Sequence, residues 1–196
     1  MFTGIVTAVG RIASSKPHGD GARLRVDAPA FGMDDVGLGD SIAIQGVCHT
    51  VVAKDESGFE VDSSAATLQV TTGLEAGRRV NLEKSLRLAD RIGGHLVSGH
   101  VDGVGAVTAF EDLGASWRLE VESPPGLSRY IAKKGSVCVD GVSLTVNEVR
   151  GPRFEINVIP HTRSVTTLGA LVPGSHVNLE VDMTARYLER LMGERP

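Results

Sequence analysis

Asp40-Ser41-Ile42-Ala43-Ile44-Gln45-Gly46-Val47-Cys48-His49-Thr50-Val51 returns later in the chain as Gly135-Ser136-Val137-Cys138-Val139-Asp140-Gly141-Val142-Ser143-Leu144-Thr145-Val146, at a separation of 95 residues. The same offset holds well outside this block. Toward the N-terminus, Thr3-Gly4-Ile5-Val6 falls on Ser98-Gly99-His100-Val101, Val9-Gly10-Arg11-Ile12 on Val104-Gly105-Ala106-Val107, and Ala28-Pro29 on Ser123-Pro124. Toward the C-terminus, Phe59-Glu60-Val61 falls on Phe154-Glu155-Ile156 and Thr67 on Thr162. Two residues are then inserted in the second copy, after which Val80-Asn81-Leu82-Glu83 matches Val177-Asn178-Leu179-Glu180. One offset maintained through so many blocks makes the chain two tandem copies, about 1–95 and 96–183. Two copies are too few for a solenoid, so each should carry its own core.

Each copy reads as short strands. In the first they fall near 2–12, 22–27, 41–45, 48–54, 58–62 and 78–84, with a helical or looped piece at 29–36. Asp55-Glu56-Ser57-Gly58 and Arg150-Gly151-Pro152 are turn signals between strands. Six antiparallel strands in so short a span close most economically into a barrel, which removes exposed edges. The expected class is all-β: two tandem six-stranded antiparallel barrels of Greek-key type, followed by a C-terminal amphipathic helix. That helix is expected in 184–196, with Tyr187, Leu188, Leu191 and Met192 on one side and Arg186, Glu189 and Arg190 elsewhere. A lone helix of this length is marginal by itself. It is therefore expected to pack on another surface, such as a neighbouring subunit.

The 196 residues are 41% hydrophobic but only 4% aromatic, and the formal net charge is -4. Few aromatics and no basic run argue against a nucleic-acid partner. The start Met1-Phe2-Thr3-Gly4 lacks the basic and apolar regions of a secretory leader, and no apolar run reaches the length of a membrane span. The expected setting is cytoplasmic, with Cys48 and Cys138 as thiols.

Strand side chains alternate, so Cys48 and Thr50 share one face, as do Ser143 and Thr145 in the equivalent strand. A lone cysteine in a strand is ordinarily a small buried hydrophobe, and Asp182 before the terminal helix can simply cap it. Two equivalent polar pairs on two equivalent strands nevertheless read as ligand surfaces. By the same alternation His49 points the other way, into the barrel, where a buried imidazole needs a partner.

Met1-Phe2-Thr3-Gly4-Ile5-Val6, Gly93-Gly94-His95-Leu96-Val97-Ser98-Gly99-His100-Val101-Asp102-Gly103, Val139-Asp140-Gly141-Val142-Ser143-Leu144-Thr145-Val146 and Ile159-Pro160-His161-Thr162 resemble the riboflavin synthase family. The resemblance runs in order over essentially the whole chain. It implies an enzyme that takes two molecules of 6,7-dimethyl-8-ribityllumazine, moves a four-carbon unit from one to the other, and releases riboflavin and 5-amino-6-ribitylaminouracil. It implies no metal and no cofactor. It also implies a homotrimer in which the first barrel of one subunit meets the second barrel of another, with no nucleic-acid or membrane partner.

By the same resemblance, Cys48, His100, Ser143 and Asp182 are the candidate catalytic residues. Thr50, Asp62, Ser64 and Thr67 would line the first-barrel site beside Cys48, with Gly4, Ile5 and Val6 nearby. Thr145, Ile159, Pro160 and Thr162 would line the second with Ser143, and Gly99 and Val101 flank His100. Histidine relays protons near neutral pH without extensive tuning.

Departures from the family pattern lie in the first copy. Where the family has Asn-Gly-Val-Cys-Leu-Thr-Val, this chain has Gln45-Gly46-Val47-Cys48-His49-Thr50-Val51, and Ala66 stands where the family carries a glutamate. Two alternatives therefore accompany the main reading: an enzyme of this fold acting on another heterocycle, and a non-catalytic lumazine or flavin binder.

Overall fold

The structure, a computed structural model, describes residues 1–193. The first barrel consists of β1 (Ala8–His18), β2 (Gly21–Asp27), β3 (Ser41–Ile44), β4 (Val47–Asp55), β5 (Gly58–Ser63) and β6 (Arg79–Lys84), closed in the order β1-β2-β5-β4-β3-β6. The second consists of β7 (Gly103–Asp112), β8 (Trp117–Glu122), β9 (Ser136–Val139), β10 (Val142–Arg150), β11 (Arg153–Val158) and β12 (His176–Val181), and it repeats the same cyclic order. Every pairing is antiparallel. A short helix follows the fifth strand of each barrel, α1 (Ala65–Val70) and α2 (Pro160–Val165), and α3 (Met183–Gly193) follows the second barrel. Both barrels and the terminal helix match the architecture expected from the repeat.

Alternation builds each core. Ile12, Leu24, Val26, Ile42, Ile44, Phe59, Val61 and Leu82 fill the first barrel, and Leu119, Val121, Val137, Ile156, Val158 and Leu179 fill the second. Each such side chain contributes about 1.5–3 kcal/mol by leaving water. The stretch after β2 is a looped plug, and its Phe31, Met33 and Val36 close one end of the first core.

The opening strand is displaced from its expected position near 2–12. It begins at Ala8 and runs to His18. Residues 2–7 leave the barrel wall: Phe2 forms an isolated antiparallel bridge with Val97, and Gly4 adopts φ +73°. The left-handed turn at Gly4 and a buried carboxylate, described below, draw this segment across to the other barrel.

The barrels meet tip to tip at the β3–β4 and β9–β10 turns. Gln45-Gly46 and Asp140-Gly141 have positive φ at both residues, the pattern of tight hairpin turns that follow strand twist. A Cβ on Gly46 would lie 2.7 Å from the Gly141 amide nitrogen. Around this contact Asn81 N donates to Gln45 Oε1 (2.9 Å) and Asn178 N to Asp140 Oδ1 (2.8 Å). Asn81 Nδ2 donates to the Asp140 carbonyl (2.8 Å) and Asn178 Nδ2 to that of Gln45 (2.9 Å). Gln45 thus supplies the acceptor that Asp140 supplies in the other copy, so this departure preserves the contact. Burial pushes the Asp140 carboxyl up to about 7.

His49 lies inside the first barrel, 3% exposed, in the position that Leu144 takes in the second. Its Nδ1 donates to the Val47 carbonyl at 3.0 Å, while Nε2 is buried without a protein partner. Burial pushes its pKa from 6.5 down to about 4. The unfolded chain therefore takes up this proton at higher pH than the folded one. The imidazole's contribution to stability is complete above pH 6.5 and declines as pH falls toward about 4, by up to about 3 kcal/mol. His49→Leu is expected to flatten that acid-side loss. Urea unfolding at about pH 7 and about pH 5 measures it, and an unchanged pH slope in the variant contradicts a buried neutral imidazole.

Candidate active site

Two buried glutamates organise the surfaces that carry Cys48 and Ser143. Glu83 on β6 accepts hydrogen bonds from Thr3 N (2.7 Å), Thr3 Oγ1 (2.6 Å) and Gly4 N (2.9 Å). Its counterpart Glu180 on β12 accepts from Ser98 N (2.7 Å), Ser98 Oγ (2.5 Å), Gly99 N (2.9 Å) and His100 N (3.1 Å). Burial raises the Glu83 pKa against the opposing pull of these donors. Each carboxylate holds the segment that precedes its own barrel and aims it at the other barrel. Ser143 N donates to the Gly4 carbonyl and Cys48 N to the Gly99 carbonyl, both at 2.8 Å. Gly4 and Gly99 have φ +73° and +79°, and a Cβ on either would lie 2.6 Å from the Cβ of Ser143 or Cys48 respectively. Left-handed backbone and close approach together demand glycine at both positions.

The crossing changes the expected grouping. Gly4, which the sequence reading set beside Cys48, lies against Ser143 together with the segment that continues through Ile5 and Val6. Gly99, His100 and Val101 lie against Cys48. There they complete a cavity of about 380 Å³ with Val47, Ala66, Thr67, Val70 and Thr71. The volume suits a small heterocyclic ligand. Cys48 is a half-buried free thiol, and the exposed Ala66, Val70 and His100 leave the cavity open on one side. Ala66 and Val70 are the apolar members of this wall, beside Thr67 and Thr71.

Other expected residues stand around this cavity rather than in its lining. Thr50 is exposed on the outer face of β4. Ser64 caps α1, accepting from Thr67 N at 3.2 Å. Asp62 is gripped by Arg23 through Nε and an Nη, each at 2.8 Å, which holds its carboxyl below the usual range. A larger cavity, about 700 Å³, lies under the Ser85–Gly93 linker. Its Lys84 pairs with Asp35 and its Arg87 with Asp90, and it contains neither Cys48 nor Ser143.

The Ser143 surface is chemically different. His95 Nδ1 lies 2.7 Å from Ser143 Oγ, and a Cβ on Gly94 would lie 2.6 Å from Ser143 Cβ. When the imidazole proton resides on Nε2, Nδ1 can accept the serine proton, the arrangement of a nucleophile and its base. Burial lowers the His95 pKa, opposed by the Asp182 and Glu180 carboxylates. The sequence reading missed His95: it precedes the second copy and has no counterpart in the first, although it lies in the quoted Gly93–Gly103 motif. Asp182 Oδ1 accepts from Thr184 N at 2.9 Å, so it caps α3 as well as facing His95 electrostatically. Ile159 and Pro160 are exposed at the start of α2, where proline's fixed φ suits the first turn. Thr162 is half-buried in that helix, and Thr145 is exposed on β10.

Residues 3–85 and 98–182 each match the lumazine binding domain. LumP complexed with 6,7-dimethyl-8-(1'-D-ribityl) lumazine superposes with a TM-score of 0.82 at 27% identity, over 92% of this chain and 99% of that one. LumP complexed with riboflavin gives a TM-score of 0.83 at 28% identity with the same coverage. Fold and domain match define a two-barrel protein of the lumazine-binding class. Riboflavin synthases of Brucella abortus (strain 2308) and Mycobacterium tuberculosis (strain ATCC 25618 / H37Rv) are each 44% identical to it, covering 97% and 98% of this chain and 98% of each relative. That of Photobacterium phosphoreum is 42% identical over 98% of this chain and 89% of the relative. The chain belongs to the riboflavin synthase family.

The crossing itself is testable. Gly99→Ala is expected to lower stability by about 2 kcal/mol or more, from left-handed strain and collision with Cys48. It should also alter the rate at which a thiol reagent modifies Cys48. Thermal melting and thiol titration check this, and wild-type values in both contradict the contact.

Proposed function

We propose that this chain converts two 6,7-dimethyl-8-ribityllumazine molecules into riboflavin and 5-amino-6-ribitylaminouracil. The observation that carries the reading is the crossed junction that the two repeats build twice. At one, Cys48 and His100 line a cavity; at the other, Ser143 is hydrogen-bonded to His95. Two identical rings with different roles need two seats with different reactive groups. One ring loses a proton from its C7 methyl, and the other accepts a nucleophile or water at C7. Four carbons then pass between them, and all atoms are accounted for by the two products without a metal or redox cofactor. Holding both rings in near-attack geometry can supply about 7–11 kcal/mol of the acceleration.

In this reading Thr67, Gly99 and Val101 seat one ring, while Gly4, Ile5, Val6, Ile159, Pro160 and Thr162 seat the other. Thr50, Asp62, Ser64 and Thr145 flank the seats, where they can meet polar substituents, and Asp182 acts on His95. The two seats come from different subunits of a homotrimer. Support comes from α3, whose polar side docks on its own chain: Glu189 pairs with Tyr130 and with Arg129. Tyr187, Leu188, Leu191 and Met192 are left 54–69% exposed, an unpaired apolar face suited to another copy. No helix among the described residues is long and apolar enough to cross a membrane. The proposed setting is the cytoplasm, which would keep Cys48 and Cys138 reduced.

An enzyme of this fold acting on another heterocycle is the second reading, favoured by Ala66 where the family pattern carries a glutamate. A cofactor-free assay separates the readings. Steady riboflavin formation, one per two lumazines consumed, is the expected outcome, whereas neither binding nor product supports the repurposed enzyme, and tight binding without product supports a carrier. Cys48→Ala and His100→Ala are each expected to lower turnover about 10-fold to 100-fold at unchanged oligomeric mass. Full activity in both removes them from the chemistry. Deletion of residues 184–196 is expected to reduce the mass seen by light scattering, and an unchanged mass counts against α3 as the assembly element.

A further inference from the structure

The geometry points to Arg186 on α3 as a positioning residue for His100, an inference that rests on the proposed role of the Cys48 cavity. Arg186 Nη2 donates to the His100 carbonyl at 3.1 Å and to Asp102 Oδ2 at 2.8 Å. The same Asp102 oxygen accepts from Val181 N at 2.8 Å, so it also ties the segment to the end of β12. On the other side of the peptide, His100 N donates to Glu180 Oε2 at 3.1 Å. The backbone of His100 is thereby gripped at both its N–H and its carbonyl, and the residue lines the cavity that holds Cys48. The Asp102 side chain is 19% exposed, although the residue as a whole is exposed, and the single Nη2 of Arg186 bridges its carboxylate and the carbonyl.

The first copy has no such device. The position equivalent to His100 is Ile5, whose amide donates to Thr3 Oγ1 at 3.2 Å and, like that of His100, faces the buried glutamate of its own barrel, Glu83; the position equivalent to Asp102 is Thr7, which carries no carboxylate. No helix corresponding to α3 follows β6. The repeat therefore supplies the crossing and its glutamate twice, but the arginine clamp once, and at the segment that completes the Cys48 cavity. Helix α3 bears the exposed apolar face on one side and the grip on His100 on the other. A rigid-body shift of α3 would be transmitted to the His100 carbonyl without passing through either core. Arg186 does not touch the cavity itself; it acts through the aim of the His100 imidazole.

The test compares Arg186→Ala, Arg186→Lys and Asp102→Asn with the wild-type full chain. Four quantities are read: kcat and KM for riboflavin formation, lumazine affinity by fluorescence titration, oligomeric mass by light scattering, and the His100 ring resonances by NMR. Arg186→Ala is expected to lower kcat about tenfold, a part of the loss expected on removing the His100 side chain itself. A smaller rise in KM and in the lumazine Kd, displaced His100 resonances and unchanged mass should accompany this. Arg186→Lys, which keeps the charge but not the planar guanidinium, should recover part of the turnover. Asp102→Asn should act in the same direction and preserves an acceptor for Val181 N. Kinetics, affinity and His100 resonances all at wild-type values in Arg186→Ala overturn the proposal. So does a loss of activity that tracks a loss of mass and disappears at higher protein concentration, because Arg186 then acts on assembly. A wild-type chain that makes no riboflavin overturns the proposed reaction alone, since the resonances and lumazine binding still report on the clamp.

Discussion

The structure depends on two buried carboxylates pulling two chain segments across the junction of the barrels. Glu83 and Glu180 each accept hydrogen bonds from main-chain N–H groups and a hydroxyl of the segment that precedes their own barrel. A carboxylate removed from water is stable only with such partners. Satisfying the charge and crossing the chain are thus one event. The crossing places Gly4 on Ser143 and Gly99 on Cys48, and neither surface is complete from one barrel alone. Duplication of a lumazine-binding barrel accordingly gives an interlocked pair rather than two independent binders.

Within that near-symmetry the two surfaces have diverged. One is an open cavity of about 380 Å³ with a thiol, apolar Ala66 and Val70 in its wall and a nearby imidazole. In the other, His95 from the linker is hydrogen-bonded to a serine hydroxyl. A reaction that treats one lumazine as donor and its twin as acceptor requires unlike environments for like molecules. The single clamp from Arg186 adds to the asymmetry. His49 does not: it faces the core of the first barrel, and its consequence is a stability that depends on acid rather than a change in the cavity.

Much of this was legible in the sequence because strand alternation and a constant offset are local, additive signals. They place Cys48 and Ser143 on equivalent strands, set His49 inward and separate the two barrels. What they cannot carry is contact between residues some 80 positions apart. Glu83 and Glu180 stand out as matched letters in the repeat, yet nothing local says that they hold Thr3 and Ser98. The alternating pattern of Phe2–Val6 therefore reads as the start of β1, although Gly4 turns it out of the barrel. His95 was invisible to the repeat for a different reason: it lies in the joint between copies and has no twin. Ser64 and Asp62 matched the expected segment, but their side chains are committed to the cap of α1 and to Arg23.

The central claim is that crossed segments from each repeat complete the ligand surface of the other. A crystal structure of the chain with 6,7-dimethyl-8-ribityllumazine bound tests it most directly. The account predicts the ring system against Cys48, Ala66 and Thr67, with His100 and Val101 forming the opposite wall. Lumazine bound instead in the larger cavity beneath the Ser85–Gly93 linker, away from both Cys48 and Ser143, would contradict it.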